Sequence, residues 1–188
     1  YTYYVRIEWN GNAVFKKNGE HYFTLSPNDS TFSFNCLYSP TLPEATGMNT
    51  TKTEKAAAKS WKNFWEDGAI VDFGGCTDIR AKEMERRVVL SEYLTAIQCA
   101  ANMPPQESGL TYNTWFGRPH LEMVWWHALH FSLWNRSKAL GDILSWYYTA
   151  YPNALKIAKR QGFKGIRWMK MTDPWAGEAP SNVGSFLI

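Results

Sequence analysis

Residues 104–136, PPQESGLTYNTWFGRPHLEMVWWHALHFSLWNR, concentrate side chains able to do chemistry. Three of the four histidines lie here, His120, His127 and His130. So do four of the ten tryptophans, Trp115, Trp125, Trp126 and Trp134, with the carboxylate of Glu122 set among them. A plain core segment is aliphatic, and a solvated one carries Lys and Glu pairs. Here the apolar residues are flat rings and the polar ones bind ligands or move protons. Aromatic faces stack on the C–H faces of a sugar, while imidazoles and carboxylates bond its hydroxyls. The segment reads as one wall of a carbohydrate site.

Cleaving a glycosidic bond usually takes two carboxyls, one protonated to assist the leaving oxygen and one ionised. They stand about 6.5–9.5 Å apart in inverting enzymes and about 5–5.5 Å apart in retaining ones. Glu122 is the candidate catalytic carboxyl. Amid Met123, Trp125 and Trp126, desolvation would raise its pKa, as a proton donor needs. It reads equally as an acceptor for sugar hydroxyls or for Arg118. Asp173 and Glu178 flank a Pro-Trp-Ala-Gly turn and suit either sugar contact or capping. Asp72 and Asp78 read as turn and cap residues.

His127 and His130 share a helical face with His120 one heptad earlier, but no zinc motif such as HExxH is present, so neither a metal nor a cofactor is expected. The imidazoles are left to bond sugar hydroxyls or core carbonyls. Trp125 and Trp126 point about 100° apart on a helix, so one should face the core. Trp115 and Trp168, in loops, are the better stacking rings. Arg86 and Arg87 should form buried ion pairs with Glu83 or Glu92.

The elements that must position these groups follow from patterning. Residues 1–38 alternate as strands, and Asn18-Gly19 between two alternating runs signals a hairpin. SPTLPEATGMNTTKT, residues 39–53, breaks the composition as a linker. TEKAAAKSWKNFWEDG is a helix with Trp61, Phe64 and Trp65 at i, i+3, i+4, ended by Gly68. A long helix follows from Asp78 to about residue 102, and a second covers 120–134. A third covers 138–150, and a fourth starts with Pro152 in its first turn and ends at Gly162. The closing stretch is a Gly/Pro/Trp loop, long enough to be functional.

Composition excludes several classes. Across 188 residues the net charge is +3, too small and scattered for nucleic acid. No apolar run approaches a membrane span. Cys36, Cys76 and Cys99 give neither a zinc motif nor a disulfide framework. Sequons at Asn28, Asn49 and Asn135 permit secretion, although Asn135 closes a Trp-rich helix. Tyr1 falls within a strand pattern and residues 186–188 are apolar, so a segment of a longer protein, poorly soluble alone, is expected.

Three ordered stretches, GGCTDIRAKEMERRVVLSEYLTAIQCA, the segment 104–136, and QGFKGIRWMKMTDPWAGEAPSNVGSFLI, resemble the six-hairpin glycosidase-like proteins related to glycoside hydrolase family 65. The resemblance implies an α+β chain: the C-terminal strands of a β-sandwich (residues 1–45), a linker with a helix (46–77), and the first hairpins of an (α/α)6 toroid (78–188). It implies a subsite lined by Trp115, Arg118, His120, Glu122, Trp126 and His127. Arg167, Trp168, Asp173 and Glu178 would lie on the same face. The general acid of that family belongs to a later hairpin. The sequence thus reads as part of an inverting glycoside hydrolase acting on small glycosides or oligosaccharides, inactive by itself. A family-65-like phosphorylase and a non-catalytic sugar-binding barrel remain as alternatives. A polysaccharide lyase using Tyr112 and Arg118 is a further one.

Overall fold

Alternating residues at the N-terminus form four short strands: β1 (Tyr4–Trp9), β2 (Ala13–Lys17), β3 (Phe23–Pro27) and β4 (Phe34–Ser39). β1 pairs antiparallel with β4, and β2 with β3. These come from a computed structural model that describes residues 2–44, 49–177 and the backbone of 186–187. The ladder continues between the pairs through Asn10 N–H to Ser33 O and Asn28 N–H to Asn12 O. Trp9 faces Phe34 and Ala13 faces Pro27, so the returning strand carries three more residues than its partner between these points. The two pairs are thus separate two-stranded sheets, joined by these bonds across a stretch in which the returning side is longer. Phe15 stacks on Trp9 and Phe23, with ring centroids 6.3 and 5.8 Å apart.

The hairpin at Asn18-Gly19 exists, but not as the two-residue turn that the dipeptide favours. Lys17 pairs with Phe23, and Asn18 N–H bonds Tyr22 O across a loop of residues 18–22. With five residues to turn in, Gly19 has no need of a left-handed conformation.

Helix α1 (Thr50–Asp67) starts earlier than the composition suggests, because Asn49 is its cap. The Asn49 side-chain oxygen accepts from Lys52 N–H at 2.9 Å. The chain divides into two units, Tyr1–Phe64 and Trp65–Ile188, with the boundary inside α1.

The second unit is built on α2 (Ala81–Cys99), α3 (Val124–Leu133) and α4 (Ser137–Arg160). Asp78 starts the α2 region as expected: its carboxylate accepts from Arg80 N–H and its carbonyl from Ala81 N–H. Helix α4 buries Ile143, Trp146, Ala150, Ala154 and Ala158, one stripe at helical spacing. Ile143 packs with Cys99, Ala128 and Phe131, while Trp146 and Ala150 pack with Leu121 and Ala176. Two helices were expected where α4 runs unbroken. Pro152 sits inside α4 on its exposed side, away from the buried stripe. There the carbonyl it leaves without a partner is solvated, and packing on the opposite face outweighs a cost of about 3 kcal/mol.

Both α3 and α4 end in the same way. After α3, Asn135 takes φ +57°, Arg136 N–H bonds Phe131 O, and Asn135 N–H bonds Ser132 O. After α4, Gly162 takes φ +79°, with Phe163 N–H to Ala158 O and Gly162 N–H to Lys159 O. This paired 6→1 and 5→2 bonding satisfies the last carbonyls and reverses the chain within two residues.

The reversal after α3 carries Arg136 inward. Its guanidinium lies 2.8 Å from the Glu92 carboxylate, and both side chains are buried. It also donates to the carbonyls of Ala69 and Trp134 and lies over the Trp65 ring. Gly68 follows the last residue of α1, as expected, and it also leaves room for the guanidinium: a Cβ there would stand 2.3 Å from the Arg136 guanidinium carbon. Glu92 thus pairs with Arg136, while Arg86 and Arg87 both pair with Glu83. Those latter pairs are exposed, not buried, because they lie on the outer face of α2. They hold Glu83 down at about 2.

The short strands β5 (Trp168–Met169) and β6 (Phe186–Leu187) pair antiparallel. No described helix is long and apolar enough to cross a membrane.

Burial pushes Glu92 above the usual carboxylate range, and Arg136 only partly offsets this. A raised folded-state pKa means that Glu92 favours folding at acid pH and costs stability as pH rises through that pKa. Arg136→Met should therefore cost about 3–5 kcal/mol near neutrality in urea unfolding, since it strands a buried charge. The loss should shrink toward pH 4, and Glu92→Leu/Arg136→Met should recover most of it. A double variant as unstable as the single one would assign the loss to the Ala69, Trp134 and Trp65 contacts instead.

Candidate functional site

The loop joining α2 to α3 is held by two glutamine side chains. Gln98 accepts from the N–H groups of Leu110 and Thr111 and donates to Thr111 Oγ1. Gln106 accepts from Thr114 N–H and donates to the carbonyls of Gly109 and Tyr112. Gly109, at φ +76°, lets the chain pass Gln98, where a Cβ would come within 2.6 Å of the Gln98 Cβ. Amides that would otherwise be solvated thus fix a loop with little core of its own.

At its far end Trp115, Phe116 and Gly117 have φ of 49°, 62° and 66°. A turn of left-handed backbone on two bulky aromatics costs about 1–2 kcal/mol per residue. It leaves Trp115 and Phe116 exposed. Strain of this kind collects where a loop presents groups to a ligand.

After this turn the chain enters a backbone bridge with the segment beyond β5. Leu121 N–H bonds Lys170 O at 2.7 Å, Thr172 N–H bonds Pro119 O at 3.1 Å, and His120 bridges Met171. His120 is thereby buried, 2% exposed. Its Nε2 lies 3.9 Å from Glu122 Oε2 and its Nδ1 lies 4.0 Å from Glu107 Oε2. The Trp115 ring stands edge-on to the imidazole at 6.5 Å. Lys170 Nζ is 2.7 Å from Glu122 Oε2, with both side chains reaching solvent. The centre of the site is therefore one imidazole between two carboxylates, with an ammonium on one of them.

The electrostatics correct one expectation. Glu122 is not desolvated, since Met123 is only half-buried and Trp125 and Trp126 turn away to solvent. The Lys170 ammonium instead holds its carboxyl below the usual range, so it is ionised at neutral pH. Burial pushes His120 down, opposed by Glu107 and helped by Lys170, so the ring is neutral. Burial likewise lowers His127.

The other expected site residues fall as follows. His127 is buried, with its Nε2 bonding Glu107 O, and His130 Nε2 bonds His127 O. Both imidazoles thus serve core carbonyls. Trp126 is 69% exposed and Trp125 is 63% exposed. Neither enters the core, because α3 buries His127, Ala128 and Phe131 and so turns both rings outward. Arg118 lies over Phe116 at 5.5 Å, and the partner of Glu122 is Lys170 rather than Arg118. Arg167 lies over Phe163 at 3.8 Å. Trp168 is no loop platform: it is half-buried in β5, edge-on to Tyr147 at 4.9 Å and 5.9 Å from Trp146. Asp173 accepts from the N–H groups of Trp175 and Gly177, a turn role. Glu178 lies outside the described residues.

Sequence reasoning missed Glu107 and Lys170. Glu107 lies within the segment 104–136, but its local pattern did not single it out. Lys170 had no signal in sequence, because a backbone bridge about fifty residues long in chain separation brings it to Glu122. Among the described residues no group of three or more His, Cys, Asp or Glu is placed to hold a metal. A cavity of about 430 Å³ lies behind the loop, lined by residues such as Ile97, Gln98, Pro104, Gln106 and Pro119. Its lining includes no carboxylate and no imidazole, unlike the His120 cluster.

Comparison with known proteins gives no matching family model, no matching curated protein and no matching solved structure.

Two measurements follow. Lys170→Met should move the carboxyl of Glu122 and the ring of His120 to higher pKa together, read by NMR titration. A shift of Glu122 alone would disconnect Lys170 from the imidazole. Because His120 and His127 are held neutral, the folded state binds fewer protons than the unfolded chain below about pH 6.5. Glu92 acts with the opposite sign in both proteins, so the His120 contribution is read as a difference: from pH 7.5 to pH 5.5 the urea midpoint of the natural chain should lose ground relative to that of His120→Gln.

Proposed function

We propose that this chain supplies the sugar-binding wall of a carbohydrate-active enzyme, a glycoside hydrolase of the inverting kind acting on small glycosides or oligosaccharides. In this reading the N-terminal strands belong to a β-sandwich, and α2 to α4 open an (α/α)6 barrel, as the resemblance of the motifs implies. The observation that carries the proposal is the Glu122–Lys170–His120 cluster, with the exposed ring of Trp115 edge-on to its imidazole. A neutral imidazole, an ionised carboxylate and an ammonium offer acceptors and donors at close quarters, which is what ring hydroxyls need. Exposed Trp115 offers a stacking face beside the cluster.

Glu122, being ionised, serves as an acceptor for a sugar hydroxyl rather than as the protonated acid. The same ionisation favours a second reading, a sugar-binding barrel without catalysis. A family-65-like phosphorylase differs from the hydrolase in its attacking group, phosphate in place of water.

Sugar binding is measured by quenching of tryptophan fluorescence with a panel of monosaccharides and disaccharides. Glu122→Gln should weaken binding roughly tenfold, the loss of one charge-assisted hydrogen bond. In the whole protein, turnover of aryl glycosides without phosphate supports the hydrolase, and strict dependence on phosphate supports the phosphorylase. Binding with no turnover leaves the non-catalytic barrel. A loss of ~10² in turnover with binding intact would return Glu122 to the catalytic pair. If the chain binds no sugar, the proposal fails.

A further inference from the structure

We propose that Lys170 is a ligand-binding residue, and that Glu122 and Lys170 together form a seat for two neighbouring hydroxyls of one sugar ring. The inference rests on the sugar-site reading above and adds to it a residue and a substrate feature.

The first observation is geometric. Glu122 Oε2 and Lys170 Nζ are 2.7 Å apart, about the spacing of adjacent hydroxyl oxygens on a pyranose. A carboxylate only accepts hydrogen bonds, while an ammonium donates three and accepts none. Lys170 spends one hydrogen on Glu122 and keeps two. One hydroxyl can donate to Glu122 while its neighbour accepts from Lys170, so the two sugar oxygens meet groups of complementary kind.

The second observation is rigidity. An ordinary surface ion pair joins two mobile side chains and contributes little to stability. Here both residues stand on paired backbone, because Leu121 N–H bonds Lys170 O, Thr172 N–H bonds Pro119 O, and His120 bridges Met171. Buried His120 stands 3.9 Å from Glu122 Oε2, with Trp115 beside it. The two charged heads are nevertheless 45% and 35% exposed, so a ligand can reach them. Fixed, complementary and accessible groups spend little ordering free energy when they bind.

A vicinal diol is thus the required feature: sugars with two free, adjacent, gauche hydroxyls fit, and sugars substituted or deoxygenated there do not. A site built to hydrogen-bond a hydroxyl discriminates strongly against its absence, since the site's own groups are left without partners.

The test uses the methyl glycosides of D-glucose, D-galactose and D-mannose as probes, then the monodeoxy analogues of whichever binds. Removing either of two adjacent hydroxyls should weaken binding to the natural chain by roughly tenfold. Lys170→Met should lose a similar factor and become insensitive to deoxygenation at one of those positions. Lys170→Arg, which keeps donors and charge, should retain part of the affinity. Binding by Lys170→Met should also fail at a higher pH than in the natural chain, because Glu122 loses the ammonium that keeps it ionised. Deoxy sensitivity at non-adjacent positions, or at none, overturns the diol seat and needs no variant at all. So does a folded Lys170→Met with unchanged affinity, and both results leave the sugar-site reading standing. If no glycoside binds the natural chain, the reading and the diol seat fall together.

Discussion

The ion pair between Glu92 and Arg136 is the constraint on which the helical unit depends. Two buried charges are tolerable only when each meets the other, and meeting requires the chain to deliver Arg136 to one place. The left-handed Asn135 performs that delivery, by ending α3 in a turn whose next residue must point inward. Once there, the guanidinium ties α2 through Glu92, the end of α1 through Ala69, and its own helix end through Trp134. The same ending on α4 shows what the motif does without such a load: Gly162 reverses the chain, and Phe163 beyond it is exposed.

The site depends on this framework at second hand. Fixing α3 against α2 sets the distance that the loop between them must span, and the amides of Gln98 and Gln106 then fix the loop's path. Only with that path set does the chain meet the strand-like segment after β5, where Lys170 and Glu122 come together. The polar cluster is therefore the last level of a hierarchy. Burial orders the helices, backbone bonding orders the loop, and side-chain electrostatics set the charge states of the groups left at its rim. His120 is neutral because it is buried, and Glu122 is ionised because Lys170 pairs with it at the solvent edge.

Much of this was legible in the sequence where the signal is local. Helix periodicity found α1, α2 and α3, Gly162 marked the end of α4, and the alternating N-terminal runs gave strands. The segment bearing Trp115, His120 and Glu122 stood out by composition, and these three do lie close together. What was not legible is what depends on distant partners. Pro152 argued for a break that the packing of Ile143 through Ala158 overrides. Glu122 looked buried from its neighbours in sequence, yet the direction of α3 turns those neighbours outward. Trp168 looked free, but Trp146 and Tyr147 enclose it. Lys170 and Glu107 carry ordinary surface chemistry until a bridge and a loop bring them beside one histidine.

The left-handed turn at Trp115-Phe116-Gly117 bears on how this chain could change. Asn or Gly at either aromatic position would relieve the backbone, so substitutions there are stabilising by the ordinary rules of local conformation. The change at Trp115 would also remove the ring that stands beside His120, and the change at Phe116 would remove the ring under Arg118. Under the proposed sugar-site reading, the loop sits at a point where selection for a sturdier fold and selection for ligand recognition pull in opposite directions. On that reading, a library varied only at these two positions would sort along a trade-off curve, gaining thermal tolerance as it gives up the proposed contact with ligand.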